Sequence, residues 1–289
     1  MEQIIQFSGV ELCLESFGDR ADEPVLLLAG TSCSMDWWRP AFCERLARSG
    51  HFVIRFDQRD TGRSAYDPPG QPQYSLPDLV TDAFSALDQL GIESAHWVGF
   101  SQGGWVSQLA ALDHPQRVRT LTLLSTRPTG HGPADADLPE VSESLLASWA
   151  AASGEPDWED SEDVVNYLVD GERSISTMEF DEPHARAIAE SCMRRARQIR
   201  SAITNHPLAD QGPRWRDRLG TITAPCLVVH GTADPLFPIG NAEALAQEIP
   251  SAQLARLPGI GHELPPRTWD HIIGLISGHT HHTREQRRL

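Results

Sequence analysis

The chain has 289 residues, 40% of them hydrophobic, enough for one large α/β domain or a domain carrying a sizeable insertion. A formal net charge of -16 argues against nucleic acid or an anionic membrane surface as a partner and favours neutral or cationic small-molecule ligands. Every basic residue is Arg, so lysine Schiff-base and lysine general-base chemistry are ruled out. Five cysteines (Cys13, Cys33, Cys43, Cys192 and Cys226) are odd in number and lack metal-ligand spacing, so reduced thiols in a cytoplasmic protein are expected, with no metal and no cofactor. The first residues lack a basic stretch, and no apolar run approaches a membrane span, so neither secretion nor membrane insertion is expected.

In chain order, β-type runs at Gln3-Phe7 and Glu11-Ser16 lie close enough to form an antiparallel hairpin at one sheet edge. A third run, Val25-Ala29, leads into Ala29-Gly30-Thr31-Ser32, a loop able to aim a backbone N–H at a ligand. The fourth, Phe52-Phe56, leads into Asp57-Gln58-Arg59-Asp60-Thr61-Gly62-Arg63-Ser64, whose polar density predicts a hydrogen-bonded buttress with Arg59 buried and paired. Leu76 to Leu90 then shows helical spacing of apolar residues.

The strand Ala95-Phe100 runs directly into Gly99-Phe100-Ser101-Gln102-Gly103, and apolar residues at helical spacing follow from Trp105 to Leu112. A serine on a sharp strand-to-helix turn, with glycines two before and two after, is a nucleophile elbow. The turn strains the serine backbone and leaves its hydroxyl exposed. The strand Thr120-Leu124 comes next, and its following loop, Ser125-Thr126-Arg127, offers no carboxylate.

From 131 to 219 the strand-helix alternation stops, and helical patterns at Val141-Ala152, Glu162-Val169 and Pro183-Thr204 replace it. This segment is expected to form an inserted helical cap on a core made of residues 1–130 and 220–278. The acidic run Glu155-Asp160 is taken as a solvated loop and helix start. The sheet resumes at Cys226-His230, followed by Asp234 in a loop suited to an orienting acid. It ends at Gln253-Leu257, followed by Pro258-Gly259-Ile260-Gly261-His262, a glycine-bearing loop able to bring an imidazole over the sheet. Glu263 should point elsewhere, and His271, within the apolar helical pattern Trp269-Leu275, is structural. Residues 279–289, including His279, His281 and His282, form a polar tail expected to fray.

A serine hydroxyl becomes a competent nucleophile when a base takes its proton and a third group orients that base. The order Ser101, Asp234, His262 supplies all three. The oxyanion donors are expected to be the backbone N–H of Gln102, at the helix start, and that of Thr31. Continuous apolar strands alternating with helices predict an α/β architecture: a mostly parallel eight-stranded sheet covered by helices on both faces.

To about Gly278 the sequence resembles the α/β-hydrolase superfamily. The D-x-R-D-T-G-R-S stretch, the elbow, the G-x-x-D and P-G-x-G-H segments and the cap position most resemble its aclacinomycin-methylesterase branch. The resemblance implies hydrolysis of a carboxylic ester through an acyl-serine, under a cap that roofs the pocket. This chain departs from the pattern with Ala29-Gly30 where many relatives carry His-Gly, and with Gln102 where many carry Met. Candidate pocket walls are Trp37, Trp38, Trp105, Trp149, Trp158, Tyr167 and Met193, which favour a bulky, partly aromatic ester, and the resemblance implies a natural-product methyl ester. A serine at the elbow argues against epoxide hydrolase or dehalogenase chemistry. Carbon-carbon bond hydrolysis, cofactor-free perhydrolysis and a non-hydrolytic binding or cyclase role stay open at this point, as does the oligomeric state.

Overall fold

The computed structural model describes residues 1–152 and 154–286, with side chains described as far as residue 281. Eight strands form one sheet: β1 (Gln3–Phe7), β2 (Val10–Phe17), β3 (Glu23–Leu28), β4 (His51–Phe56), β5 (Ala95–Phe100), β6 (Val118–Leu124), β7 (Cys226–Gly231) and β8 (Gln253–Leu257). Their spatial order is β1-β2-β4-β3-β5-β6-β7-β8. The hairpin β1-β2 turns through Ser8 and Gly9, both at positive φ, as a two-residue hairpin loop requires. The β2-β4 pair is also antiparallel, and every pair from β4 to β8 is parallel.

Helices cover both faces. They are α1 (Pro40–Arg48), α2 (Leu76–Gln89) and α3 (Gln102–Asp113), then α4 (Glu143–Ala151), α5 (Ser161–Ile175), α6 (Glu182–Arg195) and α7 (Ile199–Asn205) between β6 and β7, and finally α8 (Gly240–Glu248) and α9 (Trp269–Gln286). The period-2 alternation of β3 explains the two layers. Leu26 and Leu28 face the α2-α3 side with Leu79, Leu87 and Val106, while Val25 and Leu27 face the α1-α9 side with Phe42, Leu46 and Ile276. Each such fully buried side chain stabilises the fold by roughly 1.5–3 kcal/mol. Helix α2 starts on a capping box in which Ser75 and Asp78 satisfy each other's backbone N–H groups. Asp160, at the end of the acidic run, caps α5 through the N–H groups of Glu162 and Asp163.

Two sequence expectations change. The expected helix over Pro183-Thr204 is two helices, α6 and α7, because Ala196 leaves helical geometry and Arg197 N–H is drawn 2.9 Å from Gly62 O. The expected frayed tail is helical to Gln286. Thr280 is buried with its hydroxyl 2.8 Å from His51 Nε2, and the His281 ring stacks on His51 at 5.2 Å. Residues 287–289 of that tail, and the side chain of His282, lie outside the described residues.

The polar stretch after β4 ties this framework together. Arg59 makes a two-pronged pair with Asp82 at 2.6 and 2.9 Å, while Asp57 accepts from Met35 N and Arg63 N. Gly62 is required here: a Cβ at that position would lie 2.2 Å from the Asp57 carboxylate. Arg195 of α6 reaches across to pair with Asp57 at 2.7 Å, Asp36 at 2.5 Å and Glu2 at 2.8 Å. Its charge opposes the burial that raises the Asp57 carboxyl, and with the Ser191 and Ser34 hydroxyls it holds the Asp36 carboxyl below its usual value, so α6 is fastened to the sheet layer by charge as well as by packing.

Candidate active site

Ser101 stands at the C-terminal end of β5 as the residue that caps α3, with φ 52° and ψ -118°. That strained conformation is over-determined by its surroundings. Ser101 N–H donates to Leu124 O at 2.9 Å, while Ser101 O accepts from Gly104 N at 2.9 Å and Thr126 Oγ1 at 2.8 Å. The flanking glycines let the backbones close up. A Cβ on Gly99 would lie 2.2 Å from Gly103 O, and one on Gly103 would lie 2.4 Å from Leu28 O.

His262 leaves the loop after β8 and hydrogen-bonds through Nδ1 to Asp234 Oδ2 at 2.8 Å. Asp234, in the loop after β7, is fixed in turn. Its Oδ1 accepts from Leu236 N at 2.9 Å and Phe237 N at 2.8 Å, and His230 Nε2 lies 3.3 Å from Oδ2. Burial alone would raise the Asp234 carboxyl, but the charges and hydrogen bonds of His262 and His230 hold it well below the usual carboxylate range. An ionised Asp234 takes the proton-bearing Nδ1 of His262, so Nε2 is left with its lone pair free. The Phe100 and Phe237 rings flank this imidazole at 4.9 and 5.2 Å. The Ser101 hydroxyl has no hydrogen-bond partner among the described residues, and Ser101 and His262 line the same cavity.

As the first residue of α3, Gln102 has a backbone N–H with no acceptor in its own helix. Thr31 N–H likewise has no acceptor among the described residues, and the Thr31 hydroxyl donates to Gln102 Oε1 at 2.9 Å, linking the two loops. His206, unremarked in the sequence, secures this loop. Its Nδ1 accepts from Ser32 N at 3.0 Å and its Nε2 donates to Arg59 O at 2.8 Å, which fixes one neutral tautomer. Glu263 faces away from the His262 imidazole toward Thr177 Oγ1 at 3.2 Å and Arg267 at 3.4 Å.

The cavity measures about 440 Å³. Of the seven residues expected to wall it, Trp37, Trp105 and Trp149 do so, together with Phe100. The other four are corrected. Trp38 is fully buried in the core against Trp37 and Phe42. Trp158 bonds to Glu155 and packs against the exposed Tyr167, and Met193 packs on the small Val165-Val169-Ala189 cluster. Sequence reading missed Arg127, His131, Val141, Glu172, Ile175, Leu236 and Phe237, which also line it. Their signal was weak, because most lie in loops or on helix faces with no apolar periodicity of their own.

The family model described as the alpha/beta hydrolase fold matches residues 23–265. Rhodomycin D methylesterase DauP of Streptomyces sp. (strain C5) is 33% identical over 297 residues, covering 96% of this chain and 97% of that protein. Rhodomycin D methylesterase DnrP of Streptomyces peucetius is 32% identical over 295 residues, covering 96% and 97%. Among solved structures, the esterase EaEST from Exiguobacterium antarcticum superposes with a TM-score of 0.76 at 21% identity, over 98% of this chain and 100% of that one, a likeness of fold. Sheet order, elbow and full-length relatives agree: the chain belongs to the α/β-hydrolase fold family.

Proposed function

We propose that this protein is a serine esterase that hydrolyses a carboxylic ester, with Ser101 as nucleophile, His262 as general base and acid, and Asp234 as the orienting carboxylate. The observation that carries this reading is the 2.8 Å bond from His262 Nδ1 to Asp234, which leaves Nε2 basic in the cavity that also holds the strained Ser101. On substrate binding, Nε2 takes the Ser101 proton as Oγ attacks the ester carbonyl. The N–H groups of Thr31 and Gln102 receive the oxyanion, and the positive end of α3 favours its charge. The imidazolium then returns its proton to the departing alcohol, leaving an acyl-serine. Water, activated by the same Nε2, releases the acid and restores Ser101.

Residues 131–219 act in this reading as a cap over the core formed by 1–130 and 220–278, since Trp149, Glu172, Ile175 and Pro207 from that segment line the cavity. A volume of about 440 Å³ with indole and phenyl walls suits a bulky ring-bearing substrate. The methylesterase relatives support a methyl ester as the substrate, with methanol as the leaving group. All five cysteines are free, as suits a reducing compartment such as the cytoplasm.

Labelling with a fluorophosphonate and peptide mapping tests the assignment. The adduct is expected on Ser101, and Ser101→Ala is expected to keep the fold while losing both the label and ester turnover. An adduct on another serine, or near-normal turnover by Ser101→Ala, would refute it.

A further inference from the structure

The cavity walls are mainly apolar, with four side chains of basic or acidic character: Arg127, His131, Glu172 and His262. Arg127 is occupied by the carbonyls of Thr129, Gly130 and Gly132, and its guanidinium lies over the Phe237 ring at 5.0 Å. His131 packs edge-on to Trp105 at 4.7 Å, and His262 is held by Asp234. The Glu172 carboxyl is different. It makes no hydrogen bond or ion pair among the described residues, only its backbone carbonyl being engaged, by Ser176 Oγ.

Glu172 also lines a second, smaller cavity of about 30 Å³, bounded by Phe180, Asp181, His184 and Glu263. Trp37 and Glu172 are the two residues that line both spaces. The groups that act electrostatically on Glu172 are His262 and Glu263 after β8, and Cys33 in the loop after β3. Burial pushes the Glu172 carboxyl up to about 7, with His262 opposing the rise and Glu263 adding to it. A carboxyl without donors in such a place is stable when neutral or when a ligand brings it a counter-charge. An ammonium ion supplies that charge and its N–H donors together, and an indole lining the same spaces favours a cation further. The chain's net charge of -16 draws such a ligand in.

We propose that Glu172 is the specificity residue of this cavity, and that the preferred ester carries a basic amine whose ammonium pairs with Glu172 beside Trp37. The proposal rests on the esterase reading above and narrows its substrate class. It is tested with two esters of matched shape, methyl p-(aminoethyl)benzoate and its N-acetyl derivative, which differ in the charge on nitrogen. Wild-type protein is expected to favour the amine in kcat/KM. Glu172→Gln is expected to shrink that preference by roughly 10- to 100-fold, the range of a hydrogen bond to a charged group. No preference in the wild type, or an equal loss on both esters in the variant, overturns the proposal. If neither ester is turned over, the esterase reading is in question, and calorimetry with the two corresponding benzamides still decides this one. Tighter wild-type binding of the amine, lost in Glu172→Gln, supports it; equal affinities overturn it.

Discussion

Asp234 is the residue at which fold and proposed chemistry are most tightly joined. Two backbone N–H groups and two imidazoles converge on one fully buried carboxylate, which keeps it ionised through the neutral range although burial opposes this. Asp234→Asn keeps the shape but turns an acceptor into a donor, so His262 is forced toward the tautomer with its proton on Nε2. Turnover of a small neutral ester is expected to fall by about 10³- to 10⁴-fold, mainly in kcat. Glu263→Gln should cost less than about tenfold, because its carboxylate serves Thr177 and Arg267. Steady-state kinetics of both variants check this, and a reversed order of losses would transfer the role to Glu263. These residues were legible because each follows a strand end and carries a side chain the chemistry demands. Glu172 was not legible, since one acid in an acidic helix reads as part of a solvated face until the cavity beneath it is seen.

At the scale of elements, the strands were readable because continuous apolar runs bounded by turns have few alternatives in a parallel sheet. The break between α6 and α7 was not, because neither Gly nor Pro marks it and a tertiary contact from Arg197 to Gly62 sets it. The inward face of α5 was equally hidden. Tyr167 and Glu172 are five residues apart, about 140° round the helix, so choosing the aromatic residue selected the wrong face. This yields a sharper expectation for the cap. Trp149→Ala should change the ratio of kcat/KM for bulky against small esters, by a few kcal/mol at most, because Trp149 lines the cavity. Trp158→Ala, Tyr167→Ala and Met193→Ala should leave that ratio unmoved, since those side chains pack on one another or on the cap's own small core. A ratio change as large in any of these three as in Trp149→Ala would mean that the cap presents a different face to substrate.

Across the whole molecule, burial gives stability a pH dependence with two opposed contributions. His51, His131, His184 and His206 are all pushed below the ordinary imidazole value by desolvation, His131 to about 4. Below about pH 6.5 the unfolded chain takes up protons at these sites that the folded chain refuses, so they stabilise the fold above that pH and cease to do so as pH falls. Glu172 has the opposite sign. Raised from 4.5 to about 7, it holds a proton in the fold that the unfolded chain has released, so its contribution is full below about 4.5 and is lost as pH rises to about 7. Each group that differs by one whole proton between the two states contributes a slope of about 1.4 kcal/mol per pH unit. Urea unfolding between pH 5 and 7 separates the two. His206→Gln should flatten the rise of stability with pH relative to wild type, whereas Glu172→Gln should steepen it, because it removes the opposing slope. Parallel profiles for Glu172→Gln and wild type would mean that Glu172 titrates like an exposed carboxylate, and the desolvated counter-ion role drawn from its position in the cavity would fail with it.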